Sequence, residues 1–275
     1  MTYVFSGFEG KVAVVTGAGR MRSIGRSIAV ELARAGCDVV LTGTGRPAAR
    51  YPDDEKAAGW RDIASVADEI TALGRRALPL VSDVSDLGAV ERLAAAVVDA
   101  FGRVDIVVNN AGAARGDDRR PVIDLDPDDW RRVIDVNLTG SFYMSKVFGR
   151  ALAESGRGGS IVNISSIAGK RMSPGTSAYA ASKAGLQALT ACMAREVAAT
   201  NVRVNAICPG IVDTSRMDDL GRDEAWDQFV TDFIPLGRPG HGLDIAATVI
   251  YLCSDQGAWV TGQSWNVDGG TVVEH

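Results

Sequence analysis

Histidine is nearly absent from this chain, which has only His241 and His275 in 275 residues. That scarcity leaves little material for a histidine-based zinc site or a Ser-His-Asp triad, and no metal site is expected. Cysteine is sparse too. The four cysteines, Cys37, Cys192, Cys208 and Cys253, form no Cys-x-x-Cys pair and read as buried or free thiols of a reducing compartment. No secretory signal is legible in Met1–Gly10, and no apolar run approaches the ~18 residues a membrane span needs. A surplus of positive charge is also missing. The net charge of −5 argues against a nucleic-acid or anionic-membrane surface. What remains reads as a soluble cytoplasmic chain, 46% hydrophobic and 23% charged, without repeats, low-complexity tracts or an interdomain linker.

Short β-branched runs alternate with long amphipathic, alanine-rich stretches. The strands are expected at Val12–Thr16, Asp38–Thr42, Ala77–Val81, Asp105–Asn109, Ser160–Ile164, Val202–Ile207 and Ser264–Val267. Most are apolar nearly throughout, as suits strands buried on both faces. Helices are expected at Ser23–Ala35, Trp60–Leu73, Asp86–Phe101, Asp128–Glu154, Ser177–Thr200 and Leu243–Ser254, with Gly36, Gly74 and Gly102 as stops. This alternation predicts an α/β fold: a single doubly wound, Rossmann-type parallel sheet of about seven strands with helices on both faces, one domain over residues 1–275. Two segments break the rhythm. Gly45–Gly59 is a long polar connection after the second strand. Asp213–Gly240 follows the sixth strand and is read as a substrate lid, a surface insertion being the plain alternative.

The first strand runs into Thr16-Gly17-Ala18-Gly19-Arg20-Met21-Arg22-Ser23-Ile24-Gly25 and then a helix. Glycines permit a tight turn and close approach of backbone to a pyrophosphate, and a helix N-terminus offers free N–H groups and a positive dipole. Such turns are common in purely structural roles, but this one lies where a doubly wound sheet binds dinucleotides. The end of the second strand, Leu41-Thr42-Gly43-Thr44-Gly45-Arg46, lacks the carboxylate that holds the ribose 2′-hydroxyl of NAD(H). Arg20 and Arg46 are instead candidates to neutralise a 2′-phosphate, with Thr44 donating to it, so NADP(H) is favoured over NAD(H). Two solvated arginines are the plain alternative. After the third strand, Asp83 and Val84 are candidates for the adenine end, although Asp83 suits a turn equally well. After the fourth, Asn110, Ala111 and Gly112 offer an amide and a close-packing turn.

The sharpest signal is Tyr179-Ala180-Ala181-Ser182-Lys183. Residues four apart share one helix face, so the phenol and the ammonium lie side by side. A neighbouring cation favours the phenolate and lowers a pKa that is ordinarily near ~10. Five tyrosines and five lysines in 275 residues would produce this spacing by chance in about one such chain in ten. Ser166 lies 13 residues before Tyr179, just past the fifth strand, which puts a hydroxyl at the same edge of the sheet. Alone, Ser166 would read as a cap or loop serine.

Taken together, the Thr16-Gly17 loop, Asn109–Gly112, Asn137, Ser166, Tyr179, Lys183 and Pro209-Gly210 resemble the short-chain dehydrogenases/reductases over nearly the whole chain. The resemblance implies hydride transfer between NAD(P)(H) and a small-molecule alcohol or carbonyl. Ser166 would bond the substrate oxygen, Tyr179 exchange its proton, and Lys183 lower the tyrosine pKa and bind the nicotinamide ribose. Asn137 would hold a proton-relay water or else satisfy backbone inside its helix. Val212 and Thr214 would contact the nicotinamide amide, and Asn110 the nearby ribose. A homotetramer or dimer is implied as well, supported through the Asp128–Glu154 and Ser177–Thr200 helices. The chain departs from the family at its glycine-rich loop, where Met21 and Arg22 are inserted and Ser23 replaces a glycine. That spacing is similar to the family's enoyl-reductase branch, so reduction of a C=C bond is one alternative. A catalytically silent NADP-binding scaffold or sensor is the other. The substrate itself is not legible, although Arg115–Arg120 and Lys170–Gly175 are expected to line its pocket.

Overall fold

A computed structural model describes residues 5–274 of the chain. Residues 1–4, part of the Met1–Gly10 stretch read above, and His275 lie outside the described residues. Seven strands, β1 (Val12–Val15), β2 (Asp38–Gly43), β3 (Ala77–Val81), β4 (Ile106–Asn109), β5 (Gly159–Ile164), β6 (Val202–Pro209) and β7 (Ser264–Val267), form one sheet in the order β3-β2-β1-β4-β5-β6-β7. Every neighbouring pair is parallel. Parallel neighbours need long crossovers, and helices supply them.

Side chains alternate across each strand and feed two cores. Ala13, Val15, Val39, Leu41, Ile106 and Val108 face one of them, where they meet α1 (Ile24–Ala35), α3 (Ile63–Ala72) and α9 (Gly242–Cys253) through Ile28, Leu32, Ile70, Ile245 and Val249. Val12, Val14, Val40 and Val107 face the other, against α4 (Leu87–Phe101), α6 (Gly140–Glu154) and α7 (Ser177–Val197). The remaining helices are α2 (Asp53–Ala57), α5 (Pro127–Ile134) and α8 (Glu224–Phe233). The expected single doubly wound sheet with two helical faces is the fold of this chain. Among the described residues no helix is long and apolar enough to cross a membrane.

Three departures bear on the site. Asp128–Glu154 is not one uniform helix, because a π-helical turn at Asp135–Thr139, centred on Asn137, separates α5 from α6. Such turns recur at functional positions. The third helix starts at Ile63 rather than Trp60, because Asp62 adopts a backbone of φ 55° and ψ −132° that no helix accepts. The polar connection after β2 is partly ordered, holding a 3-10 turn at Ala48–Arg50 and α2.

Candidate active site

The order of the sheet reverses between β1 and β4, and their carboxyl ends open the crevice where doubly wound folds bind ligands. The loop after β1 is locked from below. Thr16 Oγ1 accepts from the backbone N–H groups of Asn110 and Ala111, each at 3.0 Å. Gly17 has φ +67°, and a Cβ there would fall 2.8 Å from the Ala111 Cα, so only glycine closes this turn. Ser23 caps α1 by accepting from Arg26 N–H at 3.1 Å, while its hydroxyl donates to the Arg20 carbonyl at 2.8 Å. Ile24 then opens the helix.

The chemical centre lies on the next elements along the sheet edge. Tyr179 and Lys183 occupy successive turns of α7, with the Lys183 ammonium 5.8 Å from the tyrosine ring centre. Lys183 is buried and donates to the Ile164 carbonyl at 2.8 Å. Ser166, also buried, caps the turn after β5 by accepting from Ala168 N–H at 3.1 Å. Burial opposes ionisation of the Tyr179 phenol. Lys183, Arg216, a hydrogen bond with Ser166 and Arg119 outweigh it, and hold the phenol below its ordinary pKa. Burial and Arg216 also depress the Lys183 ammonium, against the pull of Tyr179. Asn137 is fully engaged: its Oδ1 accepts from Ala113 N–H at 2.8 Å, and its Nδ2 donates to the Ser182 hydroxyl at 3.0 Å. Its side chain therefore ties the β4 loop to α7, which is neither of the two roles expected for it.

The structure thus brings Gly17, Ser23, Ile24, Ala111, Gly112, Asn137, Ser166, Tyr179 and Lys183 to one edge of the sheet. Buried Val212 and Thr214 follow β6 there, with Val212 bridging to Gly240. The structure places the other expected cofactor residues as follows. The Asn110 amide does not stand free for a ribose, because it donates to the Thr16 and Gly17 carbonyls at 2.8 and 3.1 Å. Asp83 Oδ1 accepts from the Ser85 N–H and the Ser85 hydroxyl at the turn after β3; buried Val84 packs beneath Gly140. Thr44 is exposed just past β2. Arg46 is partly engaged: its Nη2 pairs with Glu55 at 3.1 Å and Asp62 at 3.4 Å and its guanidinium stacks on Tyr51, while its buried Nη1 has no hydrogen-bond partner. Arg20 turns across the crevice, its Nη1 3.4 Å from the Ser215 hydroxyl.

Residues that sequence reasoning passed over complete the site. Glu55, buried in α2, accepts from Met21 N–H at 2.9 Å, and Trp60 donates to the Gly19 carbonyl at 2.6 Å. The segment after β2 is therefore packed onto the glycine-rich loop. Arg22 from that loop pairs with both Asp54 of this segment and Asp218 of the 213–240 segment. Arg119 stacks over the Tyr179 ring at 4.5 Å, and its buried Nη1 has no hydrogen-bond partner. Arg119 lies in the Arg115–Arg120 stretch expected to line the substrate pocket and Arg216 in the 213–240 segment read as a lid, but neither was singled out as a neighbour of Tyr179.

Known proteins resemble the chain over nearly its whole length. The family model described as "Enoyl-(Acyl carrier protein) reductase" matches residues 17–272. The chain is 39% identical over 261 residues to a 3-oxoacyl-[acyl-carrier-protein] reductase of Staphylococcus aureus, covering 94% of this chain and 97% of the relative. It is 35% identical over 262 residues to the 2-dehydro-3-deoxy-D-gluconate 5-dehydrogenase of Escherichia coli, covering 95% of each. The crystal structure of carveol dehydrogenase from Mycobacterium avium in complex with NAD superposes with a TM-score of 0.87 at 31% identity, covering 97% of this chain and 99% of that one. The chain belongs to the short-chain dehydrogenase/reductase family of oxidoreductases.

Proposed function

We propose that this protein transfers a hydride between a nicotinamide dinucleotide and an alcohol or carbonyl carbon, with Tyr179 as the acid/base. The observation that carries this reading is the Tyr179 phenol held beside the buried Lys183 ammonium at the carboxyl edge of the sheet. The dinucleotide fits on two grounds: the Gly17 turn admits no Cβ, and the Ser23-capped start of α1 faces the same crevice. Bound there, it supplies or receives the hydride. In carbonyl reduction the Tyr179 hydroxyl gives its proton to the substrate oxygen, and Lys183 with Arg216 stabilises the phenolate left behind. In alcohol oxidation the phenolate takes that proton. Ser166 donates to the substrate oxygen and orients it. Asn137 holds the β4 loop and α7 in register rather than touching the reacting atoms.

The NADP(H) preference read from Arg20 and Arg46 is weakened by the pairing of Arg46 with Glu55 and Asp62. What stands is a nicotinamide dinucleotide, NAD(P)(H). The 213–240 segment suits a cover for the substrate: α8 packs Trp226 and Val230 on Ile234 and joins the cofactor loop through Arg22. Exposed Phe142 on α6 suits a dimer or tetramer, which light scattering measures directly. The family model's description invites the enoyl-type reading, but a Tyr–Lys spacing of four residues and relatives named for alcohol and carbonyl chemistry favour C=O.

The test is a panel of ketones and secondary alcohols, followed at the absorbance band of reduced nicotinamide, with a simple enone included. Turnover of a ketone or alcohol, and an allylic alcohol from the enone, supports the proposal. A saturated ketone as sole product moves the assignment to C=C. Dinucleotide binding without turnover of any substrate moves it to a scaffold.

A further inference from the structure

The end of β2 carries Gly43 where a dinucleotide-binding strand of this kind places the acid that reads the adenosine ribose. The space is not left without a carboxylate. A Cβ built on Gly43 would lie 3.8 and 3.9 Å from the two Asp62 carboxylate oxygens, so Asp62 fills the region an acid at position 43 would reach. The same carboxylate presses on the glycine-rich loop, 1.5 Å from where a Cβ on Gly19 would sit. Asp62 reaches this point from the start of α3 through a backbone of φ 55°, a left-handed conformation that favours glycine and is retained where surrounding structure imposes it. Trp60 on the Gly19 carbonyl and Glu55 on Met21 N–H impose it here.

We propose that Asp62 is the residue that selects the cofactor, replacing the missing strand-end acid and making the pocket specific for the free ribose 2′-hydroxyl of NAD(H). A hydroxyl both donates and accepts, and the pocket offers both partners: the Asp62 carboxylate, and the buried Nη1 of Arg46, which has no other partner. A 2′-phosphate brings about −1.5 to −2 charge and only acceptor oxygens. It would meet two carboxylates, Glu55 and Asp62, that already claim Arg46. Even with Arg20 included, these four side chains sum to no net charge. The 45–62 segment thus has a function: it carries the ribose-reading acid and clamps it on the loop.

The proposal rests on the dinucleotide reading above, and calorimetric titration with NADH and NADPH separates the two without any turnover. The wild-type protein is expected to bind NADH at least about tenfold more tightly than NADPH. Asp62→Gly removes the carboxylate and relieves the positive φ; it should shift the ratio toward NADPH by about tenfold or more. Adding Gly43→Asp to that variant should return the preference to NADH. If Asp62→Gly does not fold, Asp62→Asn, which tolerates the same backbone, carries the comparison. Equal or tighter binding of NADPH by the wild type, or a ratio unchanged in the Asp62 variant, overturns the proposal while leaving the oxidoreductase reading intact. Binding of neither dinucleotide overturns both.

Discussion

The Lys183 ammonium donates to the Ile164 carbonyl at 2.8 Å, which anchors the cation to the carboxyl end of β5. Tyr179 sits one turn earlier on the same helix, so the phenol–ammonium geometry is set by the packing of α7 on the sheet. A cation fixed in a buried position acts through a low dielectric and is not screened as a surface lysine would be.

Arg119 adds to that field from the other side, stacked on the Tyr179 ring. Its removal should raise the phenol pKa. Carbonyl reduction needs the protonated phenol and is lost as pH rises through that pKa, so in Arg119→Gln the alkaline limb should move to higher pH. Alcohol oxidation needs the phenolate and is lost as pH falls through the same value, so that limb should also move up. Profiles of kcat/KM against pH measure both, and limbs that stay in place would remove Arg119 from the account.

Asn137→Ala leaves the buried Ala113 N–H without its acceptor, and the Ser182 hydroxyl loses a donor while still donating to the Tyr179 carbonyl. An unpaired buried polar group costs about 1–3 kcal/mol. Urea denaturation should register a loss of that size, with turnover reduced because α7 carries Tyr179.

Asp244 closes a capping box at the start of α9, accepting from His241 N–H at 2.7 Å and from Arg238 at 2.8 Å. The Arg238 hydrogen bond is the main cause holding its carboxyl at about 2, below the ordinary 3.8. Because the folded value is the lower one, the stabilisation is fully present above pH 3.8 and is lost as pH falls toward 2. At neutral pH, Asp244→Asn should cost about 1 kcal/mol, the usual worth of a cap, and the two proteins should converge in acid.

Thiol reactivity should be confined to one cysteine. Burial pushes the Cys37 thiol up to about 12 and the Cys253 thiol up to about 11, and it raises buried Cys208 as well. Only Cys192 is exposed. A disulfide exchange reagent should therefore label one thiol quickly in the native protein and all four after unfolding. Rapid labelling of a Cys192→Ser variant would contradict this burial pattern.

The sheet was legible because its five central strands are buried on both faces, so the apolar runs themselves mark them. Tyr179, Lys183 and Ser166 were legible because helix periodicity and strand ends fix their neighbourhood. The pairing of Arg46 was not legible for the opposite reason. Its partners Glu55 and Asp62 lie 9 and 16 residues further on, in a segment whose path depends on tertiary contacts with Gly19 and Met21. The π turn at Asn137 left no mark in the helical periodicity either. Asn110 illustrates a third limit. Residue type offers an amide, but only the fold decides whether it meets a ligand or the Thr16 and Gly17 carbonyls.

The central claim is that the Tyr179 hydroxyl exchanges the proton as hydride moves. Tyr179→Phe removes that hydroxyl and keeps the ring under Arg119, so dinucleotide affinity should be retained while kcat falls by about 100-fold or more. Turnover near the wild-type rate in that variant would contradict the account.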